Sequence, residues 1–136
     1  FNHLIFMFQK EVGDKISGKF KSSNYGRLSI LTGFKFKIQN KFLVSPNCFF
    51  PRPKVNSMII HFRPLNKLNY NIKNILNLEK VTNTLFSNKR KMINKNIKKL
   101  LKFDQIRKLK ELKLNLRPSE ISPEMYFKIT EMFEKK

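Results

Sequence analysis

Between Ser87 and Lys113 the chain places eleven basic side chains, Lys89, Arg90, Lys91, Lys95, Lys98, Lys99, Lys102, Arg107, Lys108, Lys110 and Lys113, against two acidic ones, Asp104 and Glu111. Ammonium and guanidinium groups at that density suit the neutralisation of phosphates along a nucleic-acid backbone. Read as a helix, Lys91, Lys95, Lys98, Lys99 and Lys102 recur at three- and four-residue spacing, a cationic flank beside an Ile93, Ile97 and Leu100 stripe. A solvated helix face would carry the same pattern. So would a basic amphipathic helix on a membrane, but the apolar stripe here is needed to pack a bundle. The second segment with chemical content is Asn47-Cys48-Phe49-Phe50-Pro51-Arg52-Pro53-Lys54-Val55-Asn56-Ser57, two aromatics on a proline-stiffened loop beside basic residues. A base turned out of its stack needs a flat apolar surface, and a rigid loop holds one at little ordering cost. Phe49 or Phe50 can serve. Equally, both can plug the core beneath the loop, which is the commoner fate of phenylalanine.

The remaining reactive side chains are few. Cys48 reads as a small buried residue, because no histidine lies near it in sequence to activate it. His3 and His61 are each flanked by apolar residues and read as structural. Cys48, His3 and His61 are too few for a zinc site of the usual ligand count, so no metal is expected, and a single cysteine excludes an internal disulfide. Glu11 and Asp14 share an early helix and read as a surface pair. No glycine-rich loop of the kind that cradles phosphates occurs.

The chain of 136 residues carries 29 Lys and Arg against 9 Asp and Glu, a net charge of +20. It has 23 Lys, 15 Asn and 13 Ile but neither Ala nor Trp, a skew that AT-rich coding produces without selection. Glutamate codons are equally AT-rich, so coding bias alone would have raised both signs of charge. The excess of one sign points to an acidic partner, nucleic acid ahead of membrane or acidic protein. No apolar run approaches the roughly 18 residues of a membrane span. The opening Phe1 to Phe8 lacks the basic leader and small-residue cleavage site of a signal peptide, so a cytoplasmic location without membrane association is expected. Phe1 lies inside a strand-like run, and the chain reads as a fragment that begins downstream of the true start.

The elements that must position these groups change character midway. His3 to Phe8 is a nearly continuous apolar run, as in a strand buried on both faces of a mainly parallel sheet. Helices are expected from Gln9 to Phe20 and from Tyr25 to Phe34, then a strand from Phe36 to Val44. Pro46, Pro51 and Pro53 punctuate a stiff loop from Ser45 to Lys54 that cannot supply a ladder of amide donors, and Val55 to Phe62 returns as a strand. After Arg63-Pro64-Leu65-Asn66 glycine disappears and helical periodicity takes over. Stripes run through Ile72, Ile75, Leu76, Leu78, Val81, Leu85 and Phe86, through Ile93, Ile97, Leu100 and Leu101, through Ile106, Leu109 and Leu112, and through Tyr126, Ile129 and Phe133. Ser122 suits an N-cap, Pro123 the first helical position and Glu124 the positive end of the helix dipole. The fold class is therefore α/β at first, one end of an α/β sheet, followed by a small helical bundle.

Five segments, in order, resemble the KsgA/RsmA family of rRNA adenine dimethyltransferases, relatives of the Erm methyltransferases and of the mitochondrial transcription factor B group. They are Phe6-Met7-Phe8-Gln9-Lys10-Glu11-Val12, Tyr25-Gly26-Arg27-Leu28-Ser29-Ile30, Phe49-Phe50-Pro51-Arg52-Pro53-Lys54-Val55-Asn56-Ser57, Phe86-Ser87-Asn88-Lys89-Arg90-Lys91 and Arg117-Pro118-Ser119-Glu120-Ile121-Ser122. The resemblance implies the C-terminal part of a class I Rossmann-like methyltransferase sheet in residues 1–64 and a small all-α, RNA-binding helical domain in residues 65–136. It implies S-adenosylmethionine as cofactor and N6,N6-dimethylation of two adjacent adenosines near the 3′ end of small-subunit rRNA during ribosome biogenesis. The partner would be that rRNA or the pre-30S particle, and the complete enzyme a monomer.

By the same resemblance Phe49 matches the aromatic that stacks on the target adenine, and Lys89, Arg90 and Lys91 match a basic run opening a helix that meets the RNA backbone. Lys95, Lys98 and Lys99 extend that run, while Arg27 and Lys54 are assigned to the RNA-facing side. The cofactor loop and the Asn-Leu-Pro-Tyr/Phe motif would precede Phe1, so the chain alone should be inert. Its strands would be the fifth, seventh and sixth of the sheet, in that spatial order, leaving an edge exposed at residues 3–8 where the fourth would pair. Gly13 and Gly33 depart from the family pattern. The alternatives are a non-catalytic RNA- or DNA-binding module of the transcription-factor-B type and an Erm-type enzyme acting on large-subunit rRNA.

Overall fold

Aromatic and branched side chains, whose bulk suits a pleated surface, populate the three strands β1 (Leu4–Gln9), β2 (Phe36–Val44) and β3 (Ser57–Pro64). The computed structural model describes residues 2–135; Phe1, which the opening apolar run includes, lies outside them. Two compact units are present, Phe1–Lys67 and Leu68–Lys136.

In the first unit the strands lie in the order β1-β3-β2, with β3 antiparallel to both neighbours. β1 pairs on one side only among the described residues, so its other edge is open. The expected burial of β1 on both faces does not hold: Ile5, Phe6 and Met7 are each more than half exposed. One face alone is covered, by the helix α1 (Lys10–Ile16), where Ile16 packs with Met58, Ile60 and Phe62 and, at the margin, Leu4, Phe8, Phe36 and Ile38. Gly13 makes that approach possible, since a Cβ there would stand 2.6 Å from Met58 Sδ and 3.0 Å from its Cβ.

A bulge in β2 between Ile38 and Asn40 reverses the pleat, so that Lys41 and Leu43 pair with Ile60 and Met58 while Phe42 pairs with Ile59. Phe42 thereby turns away from the core and is well exposed.

Helix ends follow local hydrogen bonding. α1 stops at Ile16, short of the expected Phe20, where Ser17 Oγ donates to the Gly13 carbonyl at 2.8 Å. α2 (Arg27–Lys35) begins after Gly26, whose extended backbone presents its N–H to Ser29 Oγ at 3.0 Å.

The second unit contains α3 (Ile75–Phe86), α4 (Phe103–Lys108) and α5 (Pro123–Glu134), with 3₁₀ turns at Ile97–Lys99 and Pro118–Glu120. Leu78, Val81, Leu85, Ile93, Ile97, Ile121, Tyr126 and Ile129 are fully or almost fully buried. Ser122 caps α5 by accepting from the Met125 N–H at 3.3 Å, and the Tyr126 hydroxyl donates to the Pro118 carbonyl at 2.5 Å. The Arg-Pro-Ser-Glu-Ile-Ser segment is thus a packing device: Pro118 and Ile121 are buried and Glu120 returns a carboxylate oxygen to the Arg117 N–H at 2.8 Å.

Two expected helices differ. Leu109 and Leu112 lie in turns beyond α4, and the stretch from Lys89 to Leu101 is a series of turns closed by one short 3₁₀ segment. Its bonds are mostly of the tighter kind, Lys91 N–H to Asn88 O, Lys99 N–H to Asn96 O and Leu100 N–H to Ile97 O, each 3.1 Å. Three causes act together. Asparagine competes for the backbone, Asn94 Oδ1 accepting from the Lys95 N–H at 3.0 Å. Like charges three and four apart repel on a helix. The Ile93 N–H is drawn instead to the Leu116 carbonyl at 2.9 Å.

Candidate nucleic-acid interface

The loop from Ser45 to Asn56 joins β2 to β3, and its two ends meet where Val44 pairs with Ser57. Its first turn closes on itself. Ser45 accepts from the Asn47 N–H through Oγ (3.2 Å) and from the Cys48 N–H through its carbonyl (3.1 Å), while the Phe49 N–H donates to the Pro46 carbonyl at 3.2 Å. At the far end the Asn56 carbonyl accepts from the Lys10 N–H at 2.9 Å, which moors the loop to the first residue of α1. The Phe50–Pro51 peptide is cis.

Adjacent residues on this loop point into different surroundings. Phe49 is half-buried, whereas Phe50 stands wholly in solvent, with a relative exposure of 102%. Arg52 and Lys54 are exposed nearby in sequence. Cys48 is exposed as well, not the buried residue the sequence suggested, because the 3₁₀ turn Pro46–Cys48 contributes nothing to the core. Arg27 occupies the first position of α2 and is half-buried.

In the second unit Lys89, Arg90, Lys91, Lys95, Lys98 and Lys99 are all exposed, and among the described residues none has an acidic partner. The alternation of Ile93, Asn96 and Ile97 inward with the cations outward survives without a helix. The cations are spread around turns rather than aligned along one flank. The acidic residues of the first unit are committed elsewhere: Asp14 to Lys10 at 2.7 Å and Glu11 to Lys15 at 3.6 Å, each four residues apart on α1. His3, just ahead of β1, and His61 of β3 join through Nδ1 and Nε2 at 2.8 Å.

Among the described residues no helix is long and apolar enough to cross a membrane, and no cluster of three metal-ligating side chains occurs. A cleft of about 410 Å³ is lined by Lys10, Asp14, Lys41, Phe42, Leu43 and Met58. S-adenosylmethionine needs a carboxylate for its ribose diol and clustered amide donors for its own carboxylate. Asp14 is held by Lys10, so this cleft does not fit that cofactor.

A ribosomal RNA adenine dimethylase model matches residues 1–135. The chain belongs to that family. The chain is 40% identical over 137 aligned positions to ribosomal RNA small subunit methyltransferase A of Pelagibacter ubique, covering 98% of this chain and 51% of that protein. The protein of the same name from Buchnera aphidicola is 34% identical, with coverage of 96% and 48%. The chain therefore spans about half the length of the curated relatives it matches.

Among solved structures, a dimethyladenosine transferase from Plasmodium falciparum superposes with a TM-score of 0.81 at 22% identity, covering 99% of this chain and 58% of that one. The 23S rRNA methyltransferase ErmE superposes at 0.63 with 17% identity, covering 98% and 55%. These likenesses show the dimethylase fold: the strand order β1-β3-β2 is that of the C-terminal part of a methyltransferase sheet.

The sequence missed three features here. The solvent position of Phe50 had no local signal, because a Phe-Phe pair does not say which ring is buried. The β2 bulge occurs without glycine. The exposure of Cys48 depends on the path of the whole loop.

Proposed function

We propose that this chain serves an S-adenosylmethionine-dependent rRNA adenine-N6,N6-dimethyltransferase that modifies two adjacent adenosines near the 3′ end of small-subunit rRNA. The observation that carries the proposal is the match of the dimethylase family along nearly the whole chain, supported by a small-subunit relative at 40% identity. The cofactor would be held by residues other than these, and it supplies the electrophilic methyl group. What these residues contribute is binding and orientation.

Phe49, half-buried on a loop fastened at both ends, offers its ring to the turned-out adenine, so that little freedom is lost when the base arrives. Lys89, Arg90 and Lys91, with Lys95, Lys98 and Lys99, neutralise backbone phosphates, and their spread around turns suits a folded RNA whose phosphates do not follow one straight line. Arg27 and Lys54 add charge in the first unit. The rRNA or the pre-30S particle is the partner, in the cytoplasm.

The test uses the full-length protein with radiolabelled S-adenosylmethionine and small-subunit rRNA. Phe49→Ala should spare RNA binding while lowering methyl transfer by about 10²-fold, the scale of a lost positioning contact. Methylation at the parent rate by that variant, or transfer only to large-subunit rRNA, would overturn the reading.

A further inference from the structure

Phe50 differs from the other described phenylalanines in the completeness of its exposure, 102%, against 72% for Phe103 and 58% for Phe42. A ring of this size can cover about 150–250 Å² when it finds a partner. It is not a mobile end of the chain. The turn behind it is closed by the Cys48 and Phe49 amides, Pro51 and Pro53 limit the backbone ahead of it, and the Asn56 carbonyl is tied to α1. The backbone that carries the ring is therefore held before any ligand arrives, and what remains to be ordered on binding is the side-chain rotamer.

The surroundings specify the ligand. Arg52 and Lys54, both exposed, follow within four residues, and no acidic residue occurs between Lys15 and Glu79. A flat apolar ring flanked by unpaired cations is complementary to a base carried on a phosphate backbone. It is poorly suited to a lipid surface, where an exposed ring with only Phe49 and Val55 as apolar company on a loop, and no amphipathic helix, gives weak attachment.

Phe49 differs in its surroundings: its ring is half in the protein, whereas that of Phe50 is wholly outside it. We infer that Phe50 is a stacking platform for a second base, distinct from the one Phe49 receives, belonging to an unpaired stretch of the same RNA. This rests on the rRNA reading above and deepens it: the substrate would present two unstacked bases to one loop.

The chain contains no tryptophan, so Phe50→Trp creates a single fluorescent reporter at the site. The experiment titrates a labelled single-stranded RNA of about twelve nucleotides, within the site size of such surfaces, into the full chain and its variants. Phe50→Ala should weaken binding by about 5- to 100-fold, the range of one lost base stack. The dependence of affinity on salt should stay as in the parent, since stacking releases no counterions. Phe50→Tyr should restore affinity, and the Phe50→Trp emission should be quenched on binding.

Equal affinity of Phe50→Ala and the parent, while charge reversal at Lys89, Arg90 and Lys91 still weakens binding, would overturn the inference and leave the rRNA reading standing. Unquenched Phe50→Trp emission in the bound state would do the same. Failure of the parent chain to bind the RNA at all would also overturn the inference, while the rRNA reading is decided by methyl transfer in the full-length protein. Because Phe50 touches no core residue, circular dichroism of the variants should match the parent and exclude misfolding as the cause.

Discussion

Glu134, in the last turn of α5, offers a sharp test of how the second unit is held together. Its carboxylate accepts from the Lys73 N–H at 2.9 and 3.1 Å, the Asn74 N–H at 3.1 Å and Asn77 Nδ2 at 2.6 Å. Glu131 accepts from the Asn71 N–H at 2.8 Å. Amides of the segment leading into α3 are therefore satisfied by α5, while inside the first turn the Leu76 N–H, which no intrahelical carbonyl can reach, donates to Asn74 Oδ1 at 3.0 Å. Desolvation of the Glu134 carboxyl opposes ionisation, but the Lys73 amide, the Asn77 side chain, the Asn74 amide and the Lys73 charge outweigh it and lower its pKa below the ordinary 4.5.

Glu134→Gln keeps the shape but leaves one oxygen for three donors. A hydrogen bond to a charged acceptor contributes about 1.5–3 kcal/mol when shielded. Water reaches this rim and reduces each contribution, and a flipped Asn77 amide recovers one bond, so the expected loss is about 1–2 kcal/mol. Urea unfolding followed by circular dichroism at pH 7 would read it. The sign with pH is fixed by the lowered pKa: the contribution is complete above about pH 4.5 and fades as pH falls through the folded-state value. The gap between parent and variant should therefore close in acid. Equal stability at pH 7, or a gap that persists once the carboxyl is protonated, would refute the reasoning.

Two further outcomes follow from the same geometry. Gly13→Ala brings a methyl against Met58, and overpacking of about 1–3 kcal/mol should exceed the roughly 1 kcal/mol gained in helix propensity; Met58→Ala in the same chain should relieve that clash, a coupling that a double-mutant cycle in thermal unfolding would detect. Charge reversal at Lys89, Arg90 and Lys91 should flatten the plot of log affinity against log salt by about 2–3, at roughly 0.7–0.9 per lost phosphate contact, and an unchanged slope would mean that these residues do not touch phosphate.

Much of the architecture was legible in the chain. The bounds of β2 coincide with the run Phe36–Val44, and the cap Ser122-Pro123-Glu124 marks the start of α5, because strand alternation and helix capping are local rules that a short window satisfies. The buried set Ile93, Ile97, Leu100 and Leu101 was also legible, since apolar side chains leave water whatever backbone carries them. What carries them was not. A lysine- and asparagine-rich stretch has helical spacing without a stable helix, and the bond from the Ile93 amide to Leu116 comes from residues remote in sequence.

For the candidate interface, amino-acid types alone specified a dense positive charge and a stiff aromatic loop, because charge and proline rigidity are properties of composition and neighbours. Tertiary structure decided which aromatic is half-sheltered and which stands free, how the bulge turns Phe42 outward, and that Glu134 of α5 binds the Lys73 and Asn74 amides just ahead of α3. Each of these depends on which distant backbone comes within hydrogen-bonding or van der Waals range, and no window of sequence contains that information.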